Sequence, residues 1–197
     1  SCTTATDLDM MVAAGIVAER AVRLGCQPRP WVKKVFAPGS SNTYSFLAPA
    51  YIEPLEQLGF AVCGYGCMSC IGNSGPVFEP VHAIAGSCEL VSVLSGNRNF
   101  EGRISPDVSQ NYLCSPALVV ALSLAGTVDI DLAHEPLCEG TAGPVYLSDL
   151  MPGAGEVDRM RAHLMESVGY APAARLFEGK EAWRALDPAH GETFSWD

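Results

Sequence analysis

The sequence predicts an α/β fold of three layers, a mainly parallel sheet with helices on both faces. Short apolar runs of strand length alternate with helix-length segments at close spacing, the signature of repeated strand–helix units. Of 197 residues, 48% are hydrophobic and 17% charged, enough apolar material for one sizeable core. Two loops rich in glycine and polar residues follow predicted strands, where sheets of this class carry their sites.

The elements follow in order. Leu8 to Leu24 reads as a helix, capped by Thr6 or Asp7, with Met11, Gly15, Ala18 and Val22 along one face and Gly25 ending it. Val32 to Ala37 reads as a strand, followed by the loop Pro38-Gly39-Ser40-Ser41-Asn42. Helical segments are expected around Tyr44–Leu47 and Ile52–Leu58, the second opening near Pro54 and closing at Gly59. Phe60 to Cys63 is a short strand running into the first glycine-rich loop, and a helix near Phe78–Ala85 precedes the strand Glu89–Leu94. The second loop spans Ser95 to Arg103, and Ser115–Ala125 forms a buried helix. Beyond Asp131 the texture changes: Val145–Leu147 reads as a strand, Glu156–Val168 and Pro172–Leu176 as helices, and Leu186 to Asp197 as loop. The expected division is an α/β domain over residues 1–150 and a helical segment over 151–197.

Twelve Lys and Arg against 22 Asp and Glu give a formal charge of −10. That balance argues against a stand-alone nucleic-acid binder, which needs a basic surface. No uninterrupted apolar run reaches membrane-spanning length, and no signal peptide precedes Ser1, so a cytoplasmic setting is expected.

Eight cysteines are present. Cys26, Cys63, Cys88, Cys114 and Cys138 lie singly, mostly in or near apolar stretches, and are expected to be core residues. Cys67 and Cys70 form a close pair inside Gly64-Tyr65-Gly66-Cys67-Met68-Ser69-Cys70-Ile71-Gly72-Asn73-Ser74-Gly75-Pro76. Such a pair suits half a zinc site, a redox dithiol, or an iron–sulfur cluster completed by a third cysteine. For the last of these readings Cys2, just ahead of a helix N-terminus, is a natural candidate. The pair alone leaves these readings open. His82, His134, His163 and His190 lie away from the pair without ligand spacing, and Arg159 and Arg184 read as solvated charges.

The wider string closely resembles the cluster loop of the aconitase family, in the branch of bacterial aconitase A and the iron-regulatory protein. Ser1-Cys2-Thr3, Ala37-Pro38-Gly39-Ser40, Ser95 to Arg103 and Ala125 to Leu132 resemble further blocks of that family in the same order, and Thr193 to Asp197 resembles the end of its catalytic core. The resemblance implies the fold of the family's iron–sulfur domain. It implies that Cys2, Cys67 and Cys70 hold three irons of a 4Fe–4S cluster, leaving one iron open as a Lewis acid. It also implies that Asn97, Arg98 and Arg103 bind a hydroxy polycarboxylate, a role suited to bidentate guanidinium groups. The implied activity is a hydro-lyase of the tricarboxylic acid cycle type, acting on citrate and isocitrate or on a methylcitrate or phosphinate analogue.

Departures from the family pattern bear on substrate. Thr3-Thr4-Ala5-Thr6-Asp7 stands where Thr-Asn-Thr-Ser-Asn is usual, and Met68-Ser69 stands where Thr-Thr is commoner. The family's serine base lies in its mobile last domain and its histidine and aspartate helpers precede the first cluster cysteine. The chain is therefore expected to be one domain of a larger enzyme, or one subunit of a split one, inactive without its partner domains. Two other readings are an RNA-binding regulator like the cluster-free iron-regulatory protein, and a cluster-less scaffolding domain.

Overall fold

The computed structural model describes residues 2–96, 102–167, 179 and 181–186, with the backbone alone for residues 2, 3 and 183. A central helix organises it. Helix α1 (Leu8–Arg23) starts where the Asp7 carboxylate accepts from the Asp9 and Met10 amides, and it ends in Arg20 and Arg23, which suit the negative end of the dipole. Its sequence is rich in Ala and Gly and buries Met11, Val12, Ala14, Gly15, Ile16, Val17, Ala18 and Ala21. Such small side chains let other helices approach on several sides at once. Helices α2 (Ser41–Leu47), α3 (Ile52–Gln57), α5 (Pro116–Ala125), α6 (Leu147–Leu150) and α7 (Glu156–Ser167) all pack against it. The closest approach is at Gly15, where a Cβ would lie 2.2 Å from Cγ of the buried Tyr51.

Helix α5 is apolar on every side, with Ser115 as N-cap, Pro116 opening it and Gly126 ending it in the left-handed region at φ 75°. Its last carbonyls are taken by side chains from another part of the chain. Arg29 Nε donates to Leu124 O at 2.8 Å and Trp31 Nε1 to Gly126 O at 3.2 Å. Helix α7 docks through Leu164 and through Arg20, whose Nη2 donates to both carboxylate oxygens of Glu156 at 2.6 and 2.7 Å. The short helices α4 (Glu79–His82) and α8 (Glu181–Arg184) complete the helical elements described.

The described strands form three two-stranded ladders. β1 (Val35–Phe36) runs parallel to β2 (Ala61–Val62), and β3 (Val91–Leu94) parallel to β4 (Gln110–Leu113). β5 (Cys138–Gly140) and β6 (Gly143–Val145) make an antiparallel hairpin. The α/β class holds, with parallel pairing in both inner ladders. No pairing joins β1–β2 to β3–β4 among the described residues.

Several elements differ from the expectation. The strand from Val32 shrinks to Val35–Phe36 because the Lys34 ammonium bonds the Arg29 and Val32 carbonyls and gathers that segment into a turn. β4 escaped detection because Gln110-Asn111-Tyr112-Leu113 is mostly polar and exposed, with no core-facing alternation. The strand expected at Val145–Leu147 sits two residues earlier, and Leu147 opens α6 instead. Helix α3 opens at Ile52 rather than near Pro54. The segment Pro172–Leu176, Val168 and the chain from residue 187 onward lie outside the described residues. No helix among the described residues is long and apolar enough to cross a membrane.

Two tests follow from the packing around α1. Gly15→Ala drives a methyl group into the Tyr51 ring, and overpacking of this kind costs about 1–3 kcal/mol, read as a lower urea midpoint. Burial, then the Glu19 and Glu156 carboxylates, push the Tyr51 phenol from 10.0 up to about 12, against the opposing pull of Arg20. A phenol raised in the folded state is deprotonated more easily when unfolded, so its contribution is full below pH 10 and lost as pH climbs towards 12. Thermal unfolding should accordingly become alkali-sensitive in that window. Tyr51→Phe, which also removes a buried hydroxyl without a hydrogen-bond partner among the described residues, should flatten the fall.

Candidate metal centre

The Cys67–Cys70 loop leaves the end of β2 and is fastened at both ends. The Gly66 amide donates to Pro38 O at 2.8 Å, tying the loop's entrance to the segment after β1. Within it, Ser69–Ile71 forms a 3-10 turn, the Asn73 amide returns to Met68 O at 3.0 Å, and Ser74 Oγ donates to Ser69 Oγ at 2.7 Å. The Lys33 ammonium gathers the exit by bonding the Ser74 carbonyl and, at 2.6 Å, that of Pro76. This holds Cys67 at the surface and Cys70 buried, 4% exposed. Gly72, at φ 81°, ends the turn where a Cβ would come within 2.8 Å of the Arg103 carbonyl. Only glycine fits both the conformation and the space.

The first turn of the chain meets the same place. Cys2–Ala5 is a 3-10 turn just ahead of α1. The Ala5 carbonyl accepts from the Gly39 amide at 2.9 Å, and Thr4 Oγ1 donates to Ser95 O at 3.2 Å. Residues 4 and 5 therefore bridge the segment after β1 to the segment after β3. Gly96 closes the group, since a Cβ there would lie 3.5 Å from Cys70 Cβ. Five chain passages thus converge beyond the C-terminal ends of β1, β2 and β3: the Cys2 turn, Pro38–Gly39, the Cys67–Cys70 loop, Ser95–Gly96 and Arg103.

Among the expected site residues, Cys67, Cys70 and the backbone of Cys2 fall within this convergence, as does the backbone of Arg103. The Cys2 side chain, Asn97 and Arg98 lie outside what is described. No group of three His, Cys, Asp or Glu side chains suited to a metal ion occurs among the described residues. Sequence reasoning missed Lys33, which bonds backbone carbonyls and belongs to no motif, and the bridging role of Thr4. It also missed the close approaches at Gly39 and Gly96, which become visible only when distant segments are brought together.

The remaining cysteines divide. Cys26 and Cys138 are buried, and Cys138 is raised above its ordinary value of 9.0 by burial and by its hydrogen bond with the Cys26 thiol. Cys114 is half-buried and likewise raised by burial. Cys63 and Cys88 are exposed rather than in the core as expected. His82 is not isolated either, pairing with the Asp107 carboxylate at 3.0 Å, which raises its pKa.

Thiol labelling under native conditions should therefore modify Cys63 and Cys88 promptly and reach Cys26 and Cys138 only on unfolding, as peptide mapping after iodoacetamide treatment would report. Lys33→Met removes the donor shared by Ser74 and Pro76. Amide exchange across residues 67–76 should rise while that of α1 stays unchanged.

The pattern of similarity to known proteins agrees with this arrangement. Residues 1–126 match the family model described as the aconitase family (aconitate hydratase). The whole chain aligns at 50% identity with phosphinomethylmalate isomerase of Streptomyces viridochromogenes, covering 22% of that protein. It aligns at 44% with aconitate hydratase A of Escherichia coli and at 45% with that of Thermus thermophilus, again covering all of this chain and 22% of each relative. The chain thus spans about a fifth of the length of these relatives. With the family model covering well over half of its residues, the chain belongs to the aconitase family.

Proposed function

We propose that the chain is the cluster-carrying part of an aconitase-type hydro-lyase that dehydrates and rehydrates a hydroxy polycarboxylate, working with further domains of a longer polypeptide. The observation that carries this reading is the convergence of the Cys2 turn, the Cys67–Cys70 loop and the Arg103 backbone beyond the strand ends. The chemistry of the donors fits as well. Thiolates suit iron–sulfur clusters, and three of them leave one iron of a 4Fe–4S cluster without a protein ligand. When bound, the cluster supplies a Lewis acid to a substrate hydroxyl and carboxylate.

The chain's own residues take the following parts in this reading. Cys2, Cys67 and Cys70 are the ligands. Cys70, on the buried side, is held by the 3-10 turn and by the close approach of Gly96, and Cys67 faces outward. Lys33 fixes the loop's exit without touching the ligands. Arg98 and Arg103 bind carboxylates with paired N–H donors, and Asn97 contributes a neutral hydrogen-bonding group. The catalytic base belongs to another domain. Residues 1–150 form the three-layer cluster-binding unit, residues 151–197 lead towards the next domain, and the enzyme works in the cytoplasm.

Identity is higher to the phosphinomethylmalate isomerase than to the two hydratases reported above. This favours a substrate in which a phosphinate-bearing group replaces one carboxyl arm. Thr4 is the local difference that bears on it, because its hydroxyl is engaged with Ser95 O where the family's usual asparagine carries an amide.

Anaerobic preparation should yield about four iron and four acid-labile sulfide per chain, with a broad visible band that bleaches in air. Cys67→Ser or Cys70→Ser should abolish both, and retained iron with unchanged absorbance would remove those residues from the ligand set. In the full-length enzyme, Arg103→Lys should raise KM while sparing the cluster. Comparing phosphinomethylmalate with citrate as substrates of that enzyme decides between the two substrate types.

A further inference from the structure

The end of α1 and the β5–β6 hairpin bring two sulfurs together inside the core. Helix α1 stops in a Schellman motif. The Gly25 amide bonds Val22 O at 3.0 Å and the Cys26 amide bonds Ala21 O at 2.9 Å, with Gly25 in the left-handed region at φ 79°. In this motif the residue after the glycine commonly packs back onto the last turn of the helix. Cys26 is accordingly buried, in the same cluster as Ala21.

The hairpin is seated on this cap. The Thr141 amide donates to Leu24 O at 2.9 Å, and the Thr141 hydroxyl donates to the same oxygen at 3.3 Å. The fit is close on both sides. A Cβ at Gly25 would collide with Thr141 Cγ2, and one at Gly140 would lie 2.5 Å from Leu24 O. Cys138 opens β5 opposite Val145 and is buried. Its thiol is hydrogen-bonded with that of Cys26. Two thiols in such contact meet the reach that a disulfide requires, although they lie far apart in sequence.

Burial keeps the pair inert. It is the main obstacle to a Cys138 thiolate, the Cys26 contact and Glu139 add to it, and Arg29 opposes it. Arg29 does not belong to the hairpin: its Nε is fixed to Leu124 O of α5 at 2.8 Å, and its guanidinium lies over the Trp31 ring. A hairpin of two strands is marginal by itself. Its local opening admits water, lifts the main obstacle to ionisation and leaves the guanidinium in place.

We propose that Cys26 and Cys138 are a redox site, closed by a peroxide to an internal disulfide that staples the β5–β6 hairpin to the end of α1. One cysteine attacks as thiolate, so that an S–O bond forms, the O–O bond breaks, and the departing hydroxide takes up a proton as water. The second sulfur then attacks the sulfenic acid, forming S–S and releasing the oxygen as a second water. One peroxide is thereby reduced to two waters by the two electrons and two protons of the thiols. Because β6 leads directly into α6, the staple also ties α1 to the segment that feeds α7. This inference does not depend on the proposed hydro-lyase function.

The test treats the full-length polypeptide with hydrogen peroxide, blocks the remaining thiols with N-ethylmaleimide in denaturant, and maps its peptides without reduction. A cross-linked peptide pair containing Cys26 and Cys138 should appear, and dithiothreitol should split it. Exchange at the Thr141 amide should slow by about tenfold or more in the oxidised protein, and Cys138→Ala should prevent both changes. Should that variant fail to fold, mapping and exchange of the unsubstituted protein, before and after dithiothreitol, decide the matter. Retention of both cysteines as free thiols while Cys63 and Cys88 oxidise overturns the proposal. Sulfinic acid at either cysteine without the cross-link, or a cross-link that forms only when peroxide is added in denaturant, overturns it as well. Neither readout measures iron, so a failed cluster assignment leaves this result standing.

Discussion

Burial of a single helix on nearly all sides is the constraint on which the rest depends. Helix α1 can take the centre only because its inward residues are small, and Gly15 lets the Tyr51 ring lie almost on the backbone. Its buried residues then shield apolar surface contributed by elements that are far apart in sequence. The helix also sets the height at which the Cys2 turn meets the sheet, because that turn runs straight into its N-cap. Packing in the core and placement of the site are therefore one problem, solved by the same sixteen residues.

The outer layer depends on charge where the inner one depends on shape. Arg20 leaves the end of α1, meets Glu156 with two hydrogen bonds and also caps the carbonyls of Leu150 and Met151. One guanidinium thus joins α6 and α7 to the core. Glu156 is held below the usual carboxylate range first by the Gly153 amide and then by Arg20. Arg29 and Trp31 perform a comparable service at the end of α5, where the chain before β1 satisfies carbonyls that α5 itself cannot.

Helix α1 was legible in the sequence because its cap, glycine stop and periodic face agreed, and α5 because Ser115–Ala125 reads as one buried apolar segment. The cysteine pair was legible because glycine and small polar residues around it exclude ordinary secondary structure. Strand β4 was not, since an exposed polar edge carries no hydrophobic alternation. The shortening of β1 was not either, because it follows from Lys34 folding back on the Arg29 and Val32 carbonyls. Lys33, Thr4 and Gly96 share one reason for having been missed. Their partners lie dozens of residues away, and local pattern holds no record of them. The exposure of Cys63 and Cys88 reversed the expectation, since a cysteine's apolar character alone does not decide which side of the chain it occupies.

The bond from Thr4 to Ser95 spans 91 residues, and this has a kinetic consequence. Closing so large a loop costs entropy that only native packing can return, and contacts of this separation form late in folding. The turn bearing Cys2 reaches the Cys67–Cys70 loop only through that closure and the one at Gly39. During synthesis the cysteine pair would emerge and compact before the backbone of the Cys2 turn is fixed beside it. The Cys2 turn therefore takes its place beside that loop only as folding ends.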